Sequence, residues 1–121
     1  MSPDDTMTTS IPDIPQIGRD ELWDKIERGD RFLLFEVLGA QYYKRHHLPG
    51  ALHLPPDRVV ETVTALAPDR ATEIVTYCWD DDCPTSGWAA RELRAIGYTN
   101  VREFPGGKQE WQSVGLPLER D

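Results

Sequence analysis

The chain has 121 residues, 39% of them hydrophobic, four Trp, and a formal net charge of −8. That length suits one domain built on a single ordinary core. The acidic balance argues against nucleic acid and anionic membranes as partners, since both require basic patches. No apolar run approaches the roughly 20 residues of a membrane-spanning helix, and the N-terminus lacks the basic-then-apolar order of a secretory signal. A cytoplasmic location with reduced thiols is therefore expected.

Residues 1–15 are rich in Ser, Thr, Pro and Asp, the composition of a mobile tail, which leaves residues 16–121 as the domain. Ile14 and Ile17 are placed to add a short edge strand. Leu22, Trp23 and Ile26 then recur at helical spacing between Gly18, an acceptable N-cap, and Gly29, a C-terminal stop. Phe32 to Leu38 is nearly continuous apolar, as a parallel strand covered on both faces requires, with Glu36 the exception.

Gly39 to His46 suits a short helix, halted by the turn signal Leu48-Pro49-Gly50. Ala51 to Leu54 reads as a short strand stopped by Pro55-Pro56. Asp57 is the expected cap of a helix bearing Val59, Val60, Val63 and Leu66, which Pro68 ends.

The stretch Ile74 to Ser86 carries both cysteines. Ile74, Val75, Thr76 and Tyr77 are a β-branched and aromatic run, hence a strand. Ser86 or Thr85 is the expected N-cap of a helix with apolar Ala89, Leu93 and Ile96. Between them lies the loop Cys78-Trp79-Asp80-Asp81-Asp82-Cys83-Pro84. A strand feeding a helix N-terminus offers inward amides and a positive dipole end, so a thiol there is expected to have its thiolate stabilised. Val101 to Phe104 is the last strand. Pro105-Gly106-Gly107 turns the chain into a final helix around Trp111, closed by Gly115-Leu116-Pro117.

Strands alternating with helices at this spacing predict an α/β domain with a mainly parallel sheet. Ligands in such sheets bind outside the carboxyl ends of the strands, where Cys78 stands. Two cysteines make no disulfide framework. The CxxC spacing of zinc sites is missing, and Asp80 to Asp82 read as a solvated loop tip, so no resident metal is expected.

Two segments resemble the rhodanese-like family. The first is Glu36-Val37-Leu38 with Tyr43 and His47-Leu48-Pro49-Gly50-Ala51, similar to the family's Asp-Val-Arg, Tyr and Gly-His-Ile-Pro-Gly-Ala. The second is Ile74 to Cys78, Ala89-Ala90, Leu93, Gly97-Tyr98, Asn100-Val101, Gly106-Gly107, Trp111 and Gly115-Leu116-Pro117. The resemblance implies a five-stranded, mainly parallel sheet flanked by helices on both faces. It implies a sulfurtransferase that carries sulfane sulfur as a persulfide on Cys78, with no cofactor. Its partners would be a sulfane-sulfur donor and a thiol or protein acceptor.

The loop from Trp79 through Asp80, Asp81, Asp82, Cys83, Pro84 and Thr85 to Ser86 departs from the family pattern. It is longer, and no Arg or Lys occurs between Cys78 and Thr85. Three carboxylates beside the mouth repel thiosulfate, a dianion, and are expected to raise the Cys78 pKa. A donor other than free thiosulfate is expected. Phosphatase and arsenate reductase chemistry need an Arg where Thr85 stands, which argues against both.

Cys83 has three readings: a thiol that resolves Cys78, the working thiol itself if the loop turns it to the amides, or a packed cysteine beneath Pro84. Trp79 is expected to line the pocket or meet a partner. Glu36, His46, His47 and His53 read as structural hydrogen-bonders, and Trp111, Trp23 and Trp88 as core. Leu38 stands where the family has Arg, so the ion pair of that Arg is expected to be lost. Besides the sulfurtransferase, a catalytically idle binding module and a Cys78–Cys83 redox switch fit the same sequence.

Overall fold

The computed structural model describes residues 14–120. Five helices and four strands alternate: α1 Arg19–Arg28, β1 Leu33–Glu36, α2 Ala40–Arg45, β2 Leu52–His53, α3 Val59–Leu66, β3 Ile74–Tyr77, α4 Thr85–Ala95, β4 Val101–Phe104 and α5 Gly107–Ser113. The sheet order is β2-β1-β3-β4, with every pairing parallel.

The expected fifth strand is reduced to one parallel bridge, Gln16 to Glu103. Pro15 is the reason: it supplies a carbonyl to the Glu103 amide but has no N–H with which to extend a ladder. Of residues 1–15, only Ile14 and Pro15 belong to the described part.

Side chains alternate across the strands and divide the core in two. Phe35, Val37 and Ile74 pack with Val59 and Val63 of α3 and with Ala89, Ala90 and Leu93 of α4. Leu34, Val75, Tyr77 and Phe104 pack on the other face with Leu22 of α1 and Trp111 of α5. Trp111 touches Trp23 and Phe104 edge-on, at 5.8 and 6.0 Å between ring centres. Its indole N–H donates to Pro117 O at 2.8 Å, which satisfies the polar end of a fully buried ring.

Gly18 and Gly29 bound α1 as expected, Gly29 with a left-handed φ of 71°. Two other caps differ. Arg58 rather than Asp57 precedes α3. Pro84 precedes α4, because the Thr85 and Ser86 hydroxyls are drawn to partners on β1 and β4 instead. Trp88 is 61% exposed, so it is not core. It follows the small buried pair Ser86 and Gly87 and precedes Ala89-Ala90, and it is these residues, with Leu93, that α4 buries.

Candidate functional site

The carboxyl ends of β1 and β3 lie side by side, with Glu36 opposite Tyr77 in register. Cys78 leaves β3 at that edge. Its carbonyl and that of Trp79 accept the amides of Lys108 and Gln109 at 2.9 and 2.8 Å, which pins the loop to the start of α5. The Gly-Gly turn makes this possible. A Cβ on Gly107 would stand 2.5 Å from the Cys78 carbonyl oxygen, and its φ of 63° suits glycine.

The Cys78 side chain is 1% exposed. Its thiol donates to Cys83 O at 3.1 Å and reaches toward Asp80 O at 3.8 Å, while Ser86 Oγ lies 3.3 Å away. Carbonyl oxygens welcome a thiol proton and repel a thiolate. Burial raises the Cys78 pKa, the Cys83 thiol raises it further, and Ser86 and Thr85 only partly oppose them. In the expected amide-lined cup, the Ser86 amide meets this sulfur at the helix start, but it does not outweigh burial, and the rise comes from burial rather than from the aspartates.

Cys83 sits where that cup opens. Its amide bonds to Asp80 O at 3.1 Å, closing a turn that folds the loop back over Cys78. The Asp82 amide caps the same turn from Asp80 Oδ1 at 3.1 Å. The half-buried Cys83 sulfur lies 3.4 Å from Thr85 Oγ1. Burial works to raise its pKa, but hydrogen bonds from Cys78, from the Thr85 hydroxyl and from the Trp79 and Thr85 amides together pull it below the ordinary thiol value. The two thiols therefore diverge: Cys78 is buried and protonated, and Cys83 is more open and more acidic.

Ser86 is buried and connects Cys78 to a carboxylate, donating to Glu103 Oε2 at 2.7 Å. The Thr85 hydroxyl donates to Val37 O at 2.6 Å, which ties α4 to β1. Asp81 and Asp82 are exposed and Pro84 lies on the surface above the turn. The Asp80, Asp81 and Asp82 carboxylates lie within 4.8 Å of one another, a concentration of like charge at the loop tip.

Under the loop is a buried ion pair absent from the sequence reading. Lys108 Nζ, fully buried, lies 2.9 Å from Glu36 Oε2 and donates to Tyr42 O and His46 O at 3.0 and 2.6 Å. Glu36 also accepts from Tyr77 Oη at 2.7 Å, and Tyr77 Oη accepts the Leu48 amide at 3.1 Å. Burial lowers the Lys108 pKa more than Glu36 can restore it. Burial followed by the Glu36 charge raises that of Tyr77 well above its ordinary value. Leu38 brings no charge to this site, and the cation that meets Glu36 is a lysine from α5. The signal was present: a carboxylate within an apolar run needs a cation, and Lys108 stands three residues before Trp111, on the same helix face.

Leu38, Tyr42, Arg45 and Trp79 line an adjoining cavity of ≈ 370 Å³. Trp79 lines the pocket as expected, with Lys108 Nζ 5.8 Å from its ring centre. Two of the histidines are structural: His47 Nδ1 bonds to Tyr43 O at 2.8 Å and its ring stacks on Tyr43, and His53 Nε2 bonds to Leu38 O at 2.7 Å. His46 is not the hydrogen-bonder expected, since its buried Nδ1 meets no partner. Sequence reasoning passed over Glu103 and Arg45. Neither stands in a motif, and only the fold brings them to the loop and the cavity.

The profile of the rhodanese-like domain matches residues 18–114. The chain is 28% identical to the thiosulfate sulfurtransferase GlpE of Actinobacillus succinogenes, over 86% of this chain and 89% of that one. It is 32% identical to an HTH-type transcriptional regulator of Mycobacterium tuberculosis, covering 85% of this chain but 44% of the regulator. It spans 51% of a putative sulfur carrier protein of Bacillus subtilis, at 24% identity. Among solved structures, a human single-domain sulfurtransferase superposes with a TM-score of 0.72 at 25% identity, over 84% of this chain and 97% of that one. A Bacillus halodurans protein superposes with a TM-score of 0.80 at 26% identity, over 88% and 77% of the two chains. The profile covers most of the chain, and the solved structures share its α/β fold: the chain belongs to the rhodanese-like domain family.

Proposed function

We propose that the protein is a sulfurtransferase that holds sulfane sulfur as a persulfide on Cys78 and takes it from an organic persulfide rather than from thiosulfate. The observation that supports this most is the setting of Cys78. It ends β3 at the carboxyl edge of the sheet, under a loop that α5 pins in place, beside the cavity lined by Trp79. A sulfur bound there is shielded from stray thiols until an acceptor arrives.

The donor preference follows from charge. Three carboxylates crowd the loop tip, and no Lys or Arg lies between Cys78 and Thr85 to offset them. Two like unit charges at 4 Å repel by about 1 kcal/mol in water and more near a protein surface, and a dianion carries two of them. An organic persulfide carries less charge at its reacting end and can lay its body against Leu38, Tyr42 and Trp79.

Initial rates of sulfur transfer to a thiol acceptor test both parts. An organic persulfide should outpace thiosulfate, and Cys78→Ser should slow transfer from either. Converting Asp80, Asp81 and Asp82 to Asn should raise the thiosulfate rate about fivefold, the equivalent of about 1 kcal/mol. Full activity in Cys78→Ser would refute the persulfide, and an unchanged thiosulfate rate in the Asn variant would refute the electrostatic account.

A further inference from the structure

Cys78 poses an accessibility problem. With 1% of its surface exposed and its S–H bonded to the Cys83 carbonyl, its sulfur cannot meet a donor while the loop holds this shape. Nothing in the loop is slack, because the Asp80–Cys83 turn is closed by two hydrogen bonds and the loop's first carbonyls are held by α5. Cys83 is the sulfur on the outer side of the same turn. It is half-buried, within reach of the Thr85 hydroxyl, and next to Cys78.

We propose that Cys83 is the loading thiol: it takes sulfane sulfur from the donor and passes it inward to Cys78. This relay rests on the persulfide reading above and assigns its first step to a different residue. In that step the Cys83 thiolate attacks the terminal sulfur of a donor R–S–SH. The Cys83–sulfur bond forms, the donor's S–S bond breaks, and R–S⁻ leaves with the electron pair, giving Cys83–S–SH. In the second step the Cys78 sulfur attacks the same terminal sulfur. The Cys78–sulfur bond forms, the bond to Cys83 breaks, and the Cys78 proton ends on Cys83. The products are Cys78–S–SH and Cys83–SH. No net oxidation occurs in either step, so no oxidant or reductant is required.

The surroundings divide the labour in the same sense. The Trp79 and Thr85 amides and the Thr85 hydroxyl favour a thiolate at Cys83, the nucleophile of the first step. For the second step Cys78 must give up its proton. Ser86 Oγ, 3.3 Å from the Cys78 sulfur and 2.7 Å from Glu103 Oε2, offers a path by which that proton is held during the exchange.

N-acetylcysteine persulfide is the probe, with the reaction quenched at successive times and each cysteine read by fragment-ion mass mapping. Residues 79–82 separate the two sites in the fragment series. The relay predicts sulfur on Cys83 first and on Cys78 later in the wild type, and sulfur retained on Cys83 in Cys78→Ser. It predicts that Cys83→Ser and Cys83→Ala, checked for native circular dichroism, load Cys78 at least about tenfold more slowly, since the donor then has no open thiol to meet. Equal loading of Cys78 in the wild type and in either folded Cys83 variant would overturn the relay and leave the persulfide reading intact. No added sulfur on either cysteine would overturn both.

Discussion

Desolvation is the first influence on both thiols of the loop, and it works to raise the pKa of each. What separates them is how far their neighbours offset it. Cys78 is fully buried and donates to the Cys83 carbonyl, so the Ser86 amide and nearby hydroxyls only partly counter burial, whereas at the more open Cys83 amides and a hydroxyl outweigh it. Alkylation follows the thiolate population, and a lowered pKa means that this population appears at lower pH. Iodoacetamide should therefore modify Cys83 first, with an inflection below that of an ordinary thiol, and Cys78 only at higher pH. Mass mapping of alkylation against pH checks this; simultaneous modification would contradict the environments described. This division was not legible in the sequence. Spacing placed both cysteines in one loop, but only the Asp80–Cys83 turn decides which sulfur is the more open.

At the scale of elements, α5 does most to shape the site although it contributes no reacting atom. Its first amides hold the Cys78 and Trp79 carbonyls, Gly107 permits that approach, and Lys108 carries a charge beneath the loop to Glu36. Removing one partner of a buried pair leaves the other charge unbalanced. Lys108→Met should cost about 3 kcal/mol in urea unfolding, and adding Glu36→Gln should recover most of that loss. A double variant no more stable than Lys108→Met alone would show that the pair is not what the site rests on. The Gly-Gly turn and Trp111 were readable because turn chemistry and helical period are local signals. The Glu36–Lys108 pair joins residues 72 positions apart, and only the folded sheet brings them together. The N-caps failed for a related reason: Thr85 and Ser86 have the right chemistry for capping, yet tertiary acceptors on Val37 and Glu103 outbid their own helix.

Across the whole molecule, the parallel order β2-β1-β3-β4 gathers the ends of β1 and β3 at one edge, and the two core layers make that edge rigid. This much was readable, since apolar strands alternating with amphipathic helices admit few other arrangements. The edge strand before α1 was over-read because Ile14 and Ile17 are apolar while Pro15 between them limits the pairing. The central claim is that the sheet edge keeps a sulfane sulfur on Cys78, out of solvent. Intact mass of the folded protein tests it most directly, after exposure to an organic persulfide, removal of the donor and a brief thiol wash. The account predicts one retained sulfur in the wild type, mapped to Cys78, and none retained in Cys78→Ser, whose sulfur on the more open Cys83 is lost to the wash. A wild type that retains no sulfur, or a Cys78→Ser variant that retains it equally well, would contradict it.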